Sequence, residues 1–355
     1  MRPARARIDL DALRHNLALA KQRSGQARVW AVVKANAYGH GLARTWRAFE
    51  AADGLALLDI EDAAQLRQQG WERPLLMLEG FFEPSDLRSC AELRLTAVVH
   101  QTEQIAMIES TALDRPIDVY LKINAGMNRL GLRPAESAEA LARLRRSGKA
   151  ASITLMTHFA DADGARGVAE SLACFDPLVQ AHRLPASTAN SAALLRYPQT
   201  HRDWVRPGIM LYGCSPFADQ TAHALGLRPV MTLTSRIIAV QELSPGERIG
   251  YAGITTAEHP MRVGVVGLGY ADGYPRHAPA GTPLLVDGHR AGTVGRVSMD
   301  MICADITEIA GAGIGSEVTL WGEGLSADEV AAASGTVSYE LLCALAARVP
   351  VEVLG

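Results

Sequence analysis

The sequence predicts an α/β fold in which an N-terminal (β/α)8 barrel of the TIM type, residues 1–225, precedes a C-terminal mainly β domain, residues 226–355. Two observations predict the barrel. Eight short apolar segments alternate with helical ones through the first two-thirds of the chain. Such alternation is typical of parallel strands joined by right-handed crossovers. Eight units are also the number that a closed barrel requires. A doubly wound open sheet is the alternative fold for the same pattern.

The barrel strands are predicted at residues 28–34, 54–59, 74–80, 95–100, 117–124, 152–159, 185–189 and 203–207. Helical periodicity separates them, for example at 60–71 and at 134–148, which begins with Pro134. After about Leu225 the segments become β-rich and are punctuated by Gly and Pro, with a helical pair at 326–335 and 338–349. These features indicate a second, mainly β domain.

The composition is that of a soluble globular protein, with 48% hydrophobic and 21% charged residues. A net charge of −3 gives no reason to expect a nucleic-acid partner or an anionic membrane surface. Neither a signal peptide nor a run long enough to span a bilayer is expected. Five scattered cysteines without CxxC spacing indicate reduced thiols. We therefore expect a cytoplasmic protein without a disulfide framework or a metal site.

Polar residues follow several of the predicted strands. Lys34 ends the first strand, Lys122 lies at the end of the fifth and His158 at the end of the sixth, and Arg206 lies at the end of the eighth. Singly, each has an ordinary explanation, such as a solvated rim lysine or a structural histidine. In a (β/α)8 barrel the carboxyl ends of all strands meet at one mouth, where the chemistry takes place. The coincidence therefore predicts one active site.

The same mouth has features of a phosphate site. Asn190 and Ser191 open a short helical stretch, and Gly208 and Ile209 follow the eighth strand. Hydroxyls and backbone N–H groups at such positions bind anions, although helix capping and a loop glycine would give the same pattern. A phosphate site beside Lys34 suggests pyridoxal 5′-phosphate (PLP), held on that lysine as a Schiff base.

Several motifs carry a closer resemblance. "AVVKANAYGHG" at 31–41 is similar to the cofactor-lysine signature of bacterial alanine racemases, the PLP-dependent fold-type III family. Blocks in the family's order continue through both domains, including "LKINAGMNRLG", "MTHF", "DWVRPGIMLYG", "GYADGYPR" and "VGRVSMDM". One departure is "GYAG" at 250–253, where many members have "GYG". The resemblance implies an isomerase that interconverts L-alanine and D-alanine and contributes to D-alanine biosynthesis.

The resemblance also implies a two-base mechanism. Lys34 would act on one face of the bound amino acid, and Tyr251 of the partner subunit would act on the opposite face, in a head-to-tail homodimer with shared active sites. His158 and Arg206 would support Tyr251. Arg206 would also lie at the pyridine nitrogen of PLP, where a guanidinium stays charged and leaves that nitrogen unprotonated.

The remaining implied roles fall into three groups. Arg129 would bind the phenolic oxygen of PLP, and Lys122, when carbamylated, would orient Arg129. Met299, through its backbone N–H, and Arg129 would bind the substrate carboxylate. The implied phosphate and cofactor contacts are Tyr38, Asn190, Ser191, Gly208, Ile209 and Tyr339. The implied residues of the entrance and its support are Lys122, Tyr270, Arg276, Arg296 and Asp300.

Other functions remain open at this point. A broader racemase that accepts serine fits the same motifs. A decarboxylase on a related barrel is disfavoured by Arg206, because that branch uses an acidic residue at the pyridine nitrogen. An aldolase on a related barrel would require a metal site, which the sequence does not predict. A non-catalytic PLP-binding barrel is disfavoured by the second domain and its Tyr251. A biosynthetic and a catabolic role are equally compatible with the sequence.

Overall fold

The computed structural model describes residues 2–355, and its N-terminal part is a closed barrel of eight parallel strands. The prediction of a (β/α)8 barrel is confirmed, and the open-sheet alternative is wrong. The strands are β2 (Arg28–Val32), β3 (Gly54–Leu57), β4 (Leu75–Met77), β5 (Leu95–Val99), β6 (Ile117–Lys122), β7 (Ala150–Met156), β8 (Ala186–Ser187) and β9 (Trp204–Val205). Seven of the predicted segments contain a barrel strand, and the sixth, 152–159, overlaps β7, which begins two residues earlier.

Helices surround the barrel, because each parallel strand must be reached by a crossover. The two helices singled out from periodicity are α4 (Ile60–Gln68) and α7 (Ser137–Arg146), the latter preceded by a 3-10 turn at Pro134–Glu136. The helices before the second domain are α1 (Leu10–Ser24), α2 (Lys34–Tyr38), α3 (Leu42–Thr45), α4 (Ile60–Gln68), α5 (Pro84–Glu92), α6 (Thr102–Ser110), α7 (Ser137–Arg146), α8 (Ala169–His182) and α9 (Ser191–Arg196).

The C-terminal part is mainly β, as predicted, and two short helices lie in it. Its strands are β10 (Met231–Leu243), β11 (Arg248–Ile249), β12 (Thr255–Thr256), β13 (Met261–Val266), β14 (Pro283–Val286), β15 (His289–Val294), β16 (Ile302–Asp305), β17 (Glu317–Trp321) and β18 (Val351–Leu354). The helices are α10 (Ala327–Ala333) and α11 (Ser338–Cys343). These two lie within the predicted helical pair.

The first strand of the chain belongs to the second sheet. β1 (Arg5–Asp9) pairs antiparallel with β10 and parallel with β18, in an eight-stranded sheet of order β13-β16-β15-β14-β17-β10-β1-β18. The division predicted at 225/226 assigns these residues to the barrel side, whereas their strand partners lie in the C-terminal sheet. The chain therefore begins in one sheet, builds the whole barrel and returns to complete that sheet.

α1 joins the two parts. Asp9 caps it by accepting a hydrogen bond from the Ala12 N–H at 2.9 Å. Its buried Asn16 donates to the carbonyls of Leu211 and Arg228, at 3.1 and 2.8 Å, and accepts from the Arg228 N–H. These bonds fasten the segment that follows the last barrel strand. Among residues 2–355, the helices are all too short or too polar to cross a membrane.

Candidate active site

A cavity of about 710 Å³ opens at the carboxyl ends of the barrel strands. Barrel strand ends and the turns after them supply most of its lining, and α11 of the C-terminal domain closes one side with Tyr339. Eleven of the residues predicted for the site lie together in this lining. They are Lys34, Tyr38, Lys122, Arg129, His158, Asn190, Ser191, Arg206, Gly208, Ile209 and Tyr339.

The turn that begins with Lys34 is left-handed. Ala35, Asn36, Ala37 and Tyr38 all have φ between 51° and 54°. Consecutive non-glycine residues rarely adopt this conformation, which costs about 1–2 kcal/mol for each. The turn is closed by hydrogen bonds from the Ala37 N–H to the Val33 carbonyl and from the Gly39 N–H to the Ala35 carbonyl, both at 2.9 Å. Such strain persists where the surrounding structure fixes it, most often at a functional site.

Lys34 has a perturbed amine. Burial lowers its pKa from the ordinary value, and the Arg129 guanidinium lowers it further, while Glu79 and Cys343 oppose the shift. A lysine of lowered pKa has a larger neutral fraction at physiological pH, and only the neutral amine attacks a carbonyl or accepts a proton. Lys34 is therefore suited to bind an aldehyde and to act as a base.

Arg206 is a buried cation held by three acceptors. Its guanidinium donates to the Ser187 hydroxyl at 2.5 Å and to the carbonyls of Thr157 and Thr188 at 2.6 and 3.2 Å. Burial lowers its pKa to about 10, so the group stays charged at neutral pH. Burial and this neighbouring charge hold the pKa of His158 well below its usual range, which makes the imidazole neutral.

Lys122 lies among other cations. Burial lowers its pKa to about 8, and the charges of Arg206 and Arg129 act in the same direction. The side chain is itself buried. The cavity floor therefore has a strong positive potential and an amine that is partly neutral near physiological pH.

One end of the cavity fits a phosphate. The Ser191 hydroxyl accepts a hydrogen bond from the Gly208 N–H at 2.9 Å, and a Cβ added at position 208 would collide with the Tyr38 hydroxyl. Ile209 begins a 3-10 helix (Ile209–Tyr212), and the first N–H groups of a helix have no partner within it. Burial raises the pKa of Tyr38, so its hydroxyl keeps its proton and can donate. Hydroxyl and amide donors therefore converge where only a glycine leaves room.

Asn190 has a supporting position at the same end. Its side-chain oxygen accepts from the Ala193 N–H at 2.9 Å and caps α9. The capping reading that the sequence left open is therefore correct for the Asn190 side chain. The Ser191 hydroxyl instead lies 2.9 Å from the Gly208 nitrogen, in the lining of the cavity.

Two cavity residues were missed from the sequence. Glu79 follows β4 and His100 follows β5, so the polar strand-end pattern that identified Lys34 and His158 identifies them as well. His100 lies 3.1 Å from the Glu79 carbonyl through Nε2. Among the described residues that line the cavity, Glu79 supplies the sole carboxylate.

Six predicted site residues lie outside this cavity of their own chain. Tyr251 and Met299 are 70% and 53% exposed in the C-terminal domain, and Arg296 lies between them in sequence. Tyr270 and Arg276 line a second cavity of about 300 Å³ beside α11. Asp300 forms ion pairs with Arg2 and Arg348, at 3.2 and 2.7 Å.

The segments that carry these residues are linked to one another. The Tyr270 N–H donates to the Ser298 carbonyl and the Ala271 N–H to the Met299 carbonyl, both at 3.0 Å. At the departure "GYAG", Ala252 has φ 62°, the left-handed conformation that favours glycine. In residues 2–355, no group of three His, Cys, Asp or Glu side chains is arranged to hold a metal ion.

Comparisons with known proteins cover the whole chain. The family model described as "Alanine racemase, N-terminal domain" matches residues 8–216, and "Alanine racemase, C-terminal domain" matches residues 230–353. An alanine racemase of Thiobacillus denitrificans is 58% identical over 100% of this chain and 97% of its own. A catabolic alanine racemase of Salmonella typhimurium is 50% identical, with 98% of each chain covered. The crystal structure of a biosynthetic alanine racemase from Pseudomonas aeruginosa superposes with a TM-score of 0.96 at 46% identity, covering 100% of both chains.

Proposed function

The chain belongs to the alanine racemase family, and from this premise we propose how its residues interconvert L-alanine and D-alanine. The proposed cofactor is PLP, bound covalently through the Lys34 amine. Lys34 and Tyr251 of the partner subunit act as the two opposing acid/base groups. The observation that carries the proposal is the lysine of lowered pKa, in the same cavity as the donors that fit a phosphate.

PLP, when bound, would supply an electron sink that acidifies the Cα–H of an attached amino acid. The phosphate would lie against Tyr38, Ser191, Gly208 and Ile209, with Tyr339 and Asn190 beside them. At the other end of the cofactor, Arg206 would face the pyridine nitrogen. Its guanidinium is held by Ser187 and two carbonyls and stays charged, so it does not transfer a proton to that nitrogen.

Lys34 moves a proton on one face of Cα. Lys34 would hold PLP through its amine, and the same amine, when not bonded to the cofactor, would be free to move a proton. Burial and Arg129 favour its neutral form, which can take the proton. By family resemblance this face is that of D-alanine. The same amine returns a proton when the reaction starts from L-alanine.

Racemisation needs a second acid/base group on the opposite face. Tyr251 lies outside its own cavity and is 70% exposed, which leaves it available to a neighbouring subunit. We propose a head-to-tail homodimer in which each chain lends Tyr251 and the Met299 backbone N–H to its partner's site. Tyr270, Arg276, Arg296 and Asp300 would then form or support the entrance to that site, which only small amino acids such as alanine pass.

Lys122 is proposed to be carbamylated. Carbamate formation requires a neutral amine to attack CO2 with loss of a proton, and a pKa of about 8 supplies a neutral fraction near physiological pH. The product replaces a cation by an anion next to Arg129. That change would orient the Arg129 guanidinium toward the phenolic oxygen of PLP and the substrate carboxylate.

We also propose a cytoplasmic location. The five cysteines are all free thiols: Cys90, Cys174, Cys214, Cys303 and Cys343. Unpaired cysteines are typical of a reducing compartment. No nucleic-acid or membrane partner is proposed, in keeping with the net charge of −3.

The experiment is racemisation in heavy water. The purified protein is incubated with PLP and L-alanine, and both chirality and deuterium at Cα are followed. D-alanine that carries deuterium at Cα supports two opposed bases. Deuterium exchange with retained L-configuration would leave only the face assigned to Tyr251 working and contradict the role of Lys34 on the opposite face. Neither signal with alanine, but both with serine, would reassign the substrate.

A further inference from the structure

His40 is a buried histidine that takes no part in the steps above. It lies two residues beyond the left-handed turn, outside the lining of the cavity, and is fully buried. Its Nδ1 lies 3.0 Å from the Ala37 carbonyl and 2.9 Å from the Tyr38 carbonyl. Carbonyl oxygens only accept hydrogen bonds, so Nδ1 must carry a proton that it donates to them.

The other ring nitrogen fixes the charge of His40. Nε2 is buried without a hydrogen-bond partner. A proton there would create a buried, unpartnered donor on a charged ring, which is strongly unfavourable. Burial lowers the pKa of His40 to about 4, in agreement with a neutral ring. His40 is therefore the neutral Nδ1–H tautomer.

The carbonyls that His40 binds belong to the strained turn. Within the turn, the Gly39 and Gly41 N–H groups satisfy the Ala35 and Asn36 carbonyls, both at 2.9 Å. The Tyr38 carbonyl receives its hydrogen bond from His40. Without the imidazole, this buried carbonyl would lose its partner at the point where the chain leaves the left-handed conformation.

A second set of contacts joins His40 to the Tyr38 side chain. The imidazole packs on the Tyr212 ring with 4.7 Å between centroids, and Tyr212 stacks on Tyr38 at 4.6 Å. The Tyr212 hydroxyl donates to the Val32 carbonyl at 2.9 Å, which anchors the stack to β2. Backbone and ring contacts of His40 thus converge on one residue, Tyr38.

We propose that His40 is a positioning residue that clamps the Ala37 and Tyr38 carbonyls, keeps the left-handed turn closed and so holds the Tyr38 hydroxyl where a phosphate binds. The proposal rests on the proposed use of PLP. The proposal distinguishes two parts of cofactor binding. His40 affects binding of the phosphate through Tyr38, whereas covalent attachment depends on Lys34.

The first test concerns the apoprotein and needs no cofactor. Nitrogen NMR of protein labelled at histidine should show His40 neutral, with the proton on Nδ1, across the neutral pH range. A proton on Nε2, or on both nitrogens, would overturn the clamp.

The second test compares PLP with pyridoxal, which has the aldehyde and no phosphate. An asparagine side chain can place an N–H near the position of Nδ1, whereas glutamine places it nearer Nε2. We expect His40→Gln to weaken PLP binding about tenfold, the factor that corresponds to one lost hydrogen bond, and to change pyridoxal binding less than about twofold. His40→Asn should bind PLP within about threefold of wild type.

Thr45→Val is the matched control. The buried Thr45 hydroxyl donates to the Gly41 carbonyl at 2.8 Å, in the same segment but outside the clamp. Thr45→Val should lower thermal stability and should change the affinities for PLP and pyridoxal by the same factor. Equal weakening of PLP and pyridoxal by His40→Gln would indicate general loosening and overturn the proposal, as would unchanged PLP binding. A wild-type protein that binds neither ligand would instead contradict the proposed function, and the NMR result would still decide the tautomer.

Discussion

The Ser187 hydroxyl accepts a hydrogen bond from the Arg206 guanidinium across 2.5 Å inside the barrel. Ser187 ends β8 and Arg206 follows β9, so the bond joins neighbouring strands beneath the cavity. Because Arg206 is fully buried, each acceptor it loses leaves a charged donor without a partner. The pair therefore couples the stability of the barrel to the orientation of a candidate cofactor ligand.

Ser187→Ala should lower the free energy of unfolding by about 1–3 kcal/mol. Two carbonyl acceptors remain for the guanidinium, so kcat should fall less than about tenfold. Chemical denaturation and steady-state kinetics check these values. Ser110→Ala, which removes an exposed hydroxyl bound to its own helix, is the control. Unchanged stability in Ser187→Ala would show that the bond to Arg206 is energetically unimportant.

Gly208→Ala should weaken PLP binding by about tenfold or more, because the new Cβ meets the Tyr38 hydroxyl. Adding Tyr38→Phe to this variant removes the colliding atom and should recover part of the affinity. Fluorescence titration of the apoprotein measures both. Gly313→Ala has open space around its Cβ and should bind PLP like wild type. Equal affinities of Gly208→Ala and Gly313→Ala would argue against a phosphate at this end of the cavity.

Tyr251→Phe should keep the absorbance of the bound cofactor and lose turnover by about 10²–10⁴-fold, the usual contribution of a general acid or base. The phenolic hydroxyl is the only group removed, and Tyr251 lies outside the cavity of its own chain. Polarimetry from L-alanine measures the loss. Tyr197→Phe, at a site away from the cavity lining, serves as the control. Full turnover by Tyr251→Phe would exclude Tyr251 from catalysis.

Shared active sites predict complementation between inactive chains. Mixed dimers of Lys34→Ala and Tyr251→Phe contain one site with both groups and one with neither. Random assembly should therefore restore roughly a quarter of wild-type activity. Refolding the two variants together and assaying racemisation measures this value. If the mixture stays as inactive as either parent, Lys34 and Tyr251 act within the same chain or not together.

Lys122 predicts a pH-dependent stability difference. Its pKa is about 8 in the folded protein and near 10.4 when unfolded, so between these values the unfolded chain binds more protons and stability rises with pH. Below about pH 8 Lys122 is charged in both the folded and the unfolded state, so burial of its ammonium destabilises the folded state by its full amount. In CO2-free buffer, Lys122→Met apoprotein should then be more stable than wild type by on the order of 2 kcal/mol.

That gain should shrink as the pH rises through about 8 toward 10, where both states lose the proton. Urea denaturation at several pH values checks it. Lys21→Met, at a partly exposed position, should change stability by less than about 1 kcal/mol at every pH. A pH-independent difference for Lys122→Met would show that packing, rather than charge, separates it from wild type.

Much of the barrel could be predicted because its signal is local. Apolar runs bounded by helices located all eight strands, and polar strand ends located Lys34, Lys122, His158 and Arg206. Glu79 and His100 carried the same signal and were overlooked. β1 could not be assigned to its sheet, because its partner strands lie more than two hundred residues away in sequence. A five-residue strand does not itself indicate which strands it pairs with.

The left-handed turn also had no sequence signal. Its strained residues, Ala35 to Tyr38, include no glycine, and intrinsic preference favours a right-handed helix for such residues. Hydrogen bonds with the flanking residues Val33, Leu42 and His40 close the turn instead. Tyr251 and Met299 pose a different problem, since a single chain does not contain the surface that they would complete.

The position of β1 also constrains the order in which the molecule can form. Ala6 pairs with Leu233 in β10 and with Val351 in β18, so the second sheet cannot be completed until β18 has been synthesised. The barrel uses only contiguous segments and can assemble earlier on the ribosome. The long-range closure of the sheet is expected to be the slow step. Until then β1 has one edge unpaired, which makes the nascent chain most prone to aggregation before β18 emerges.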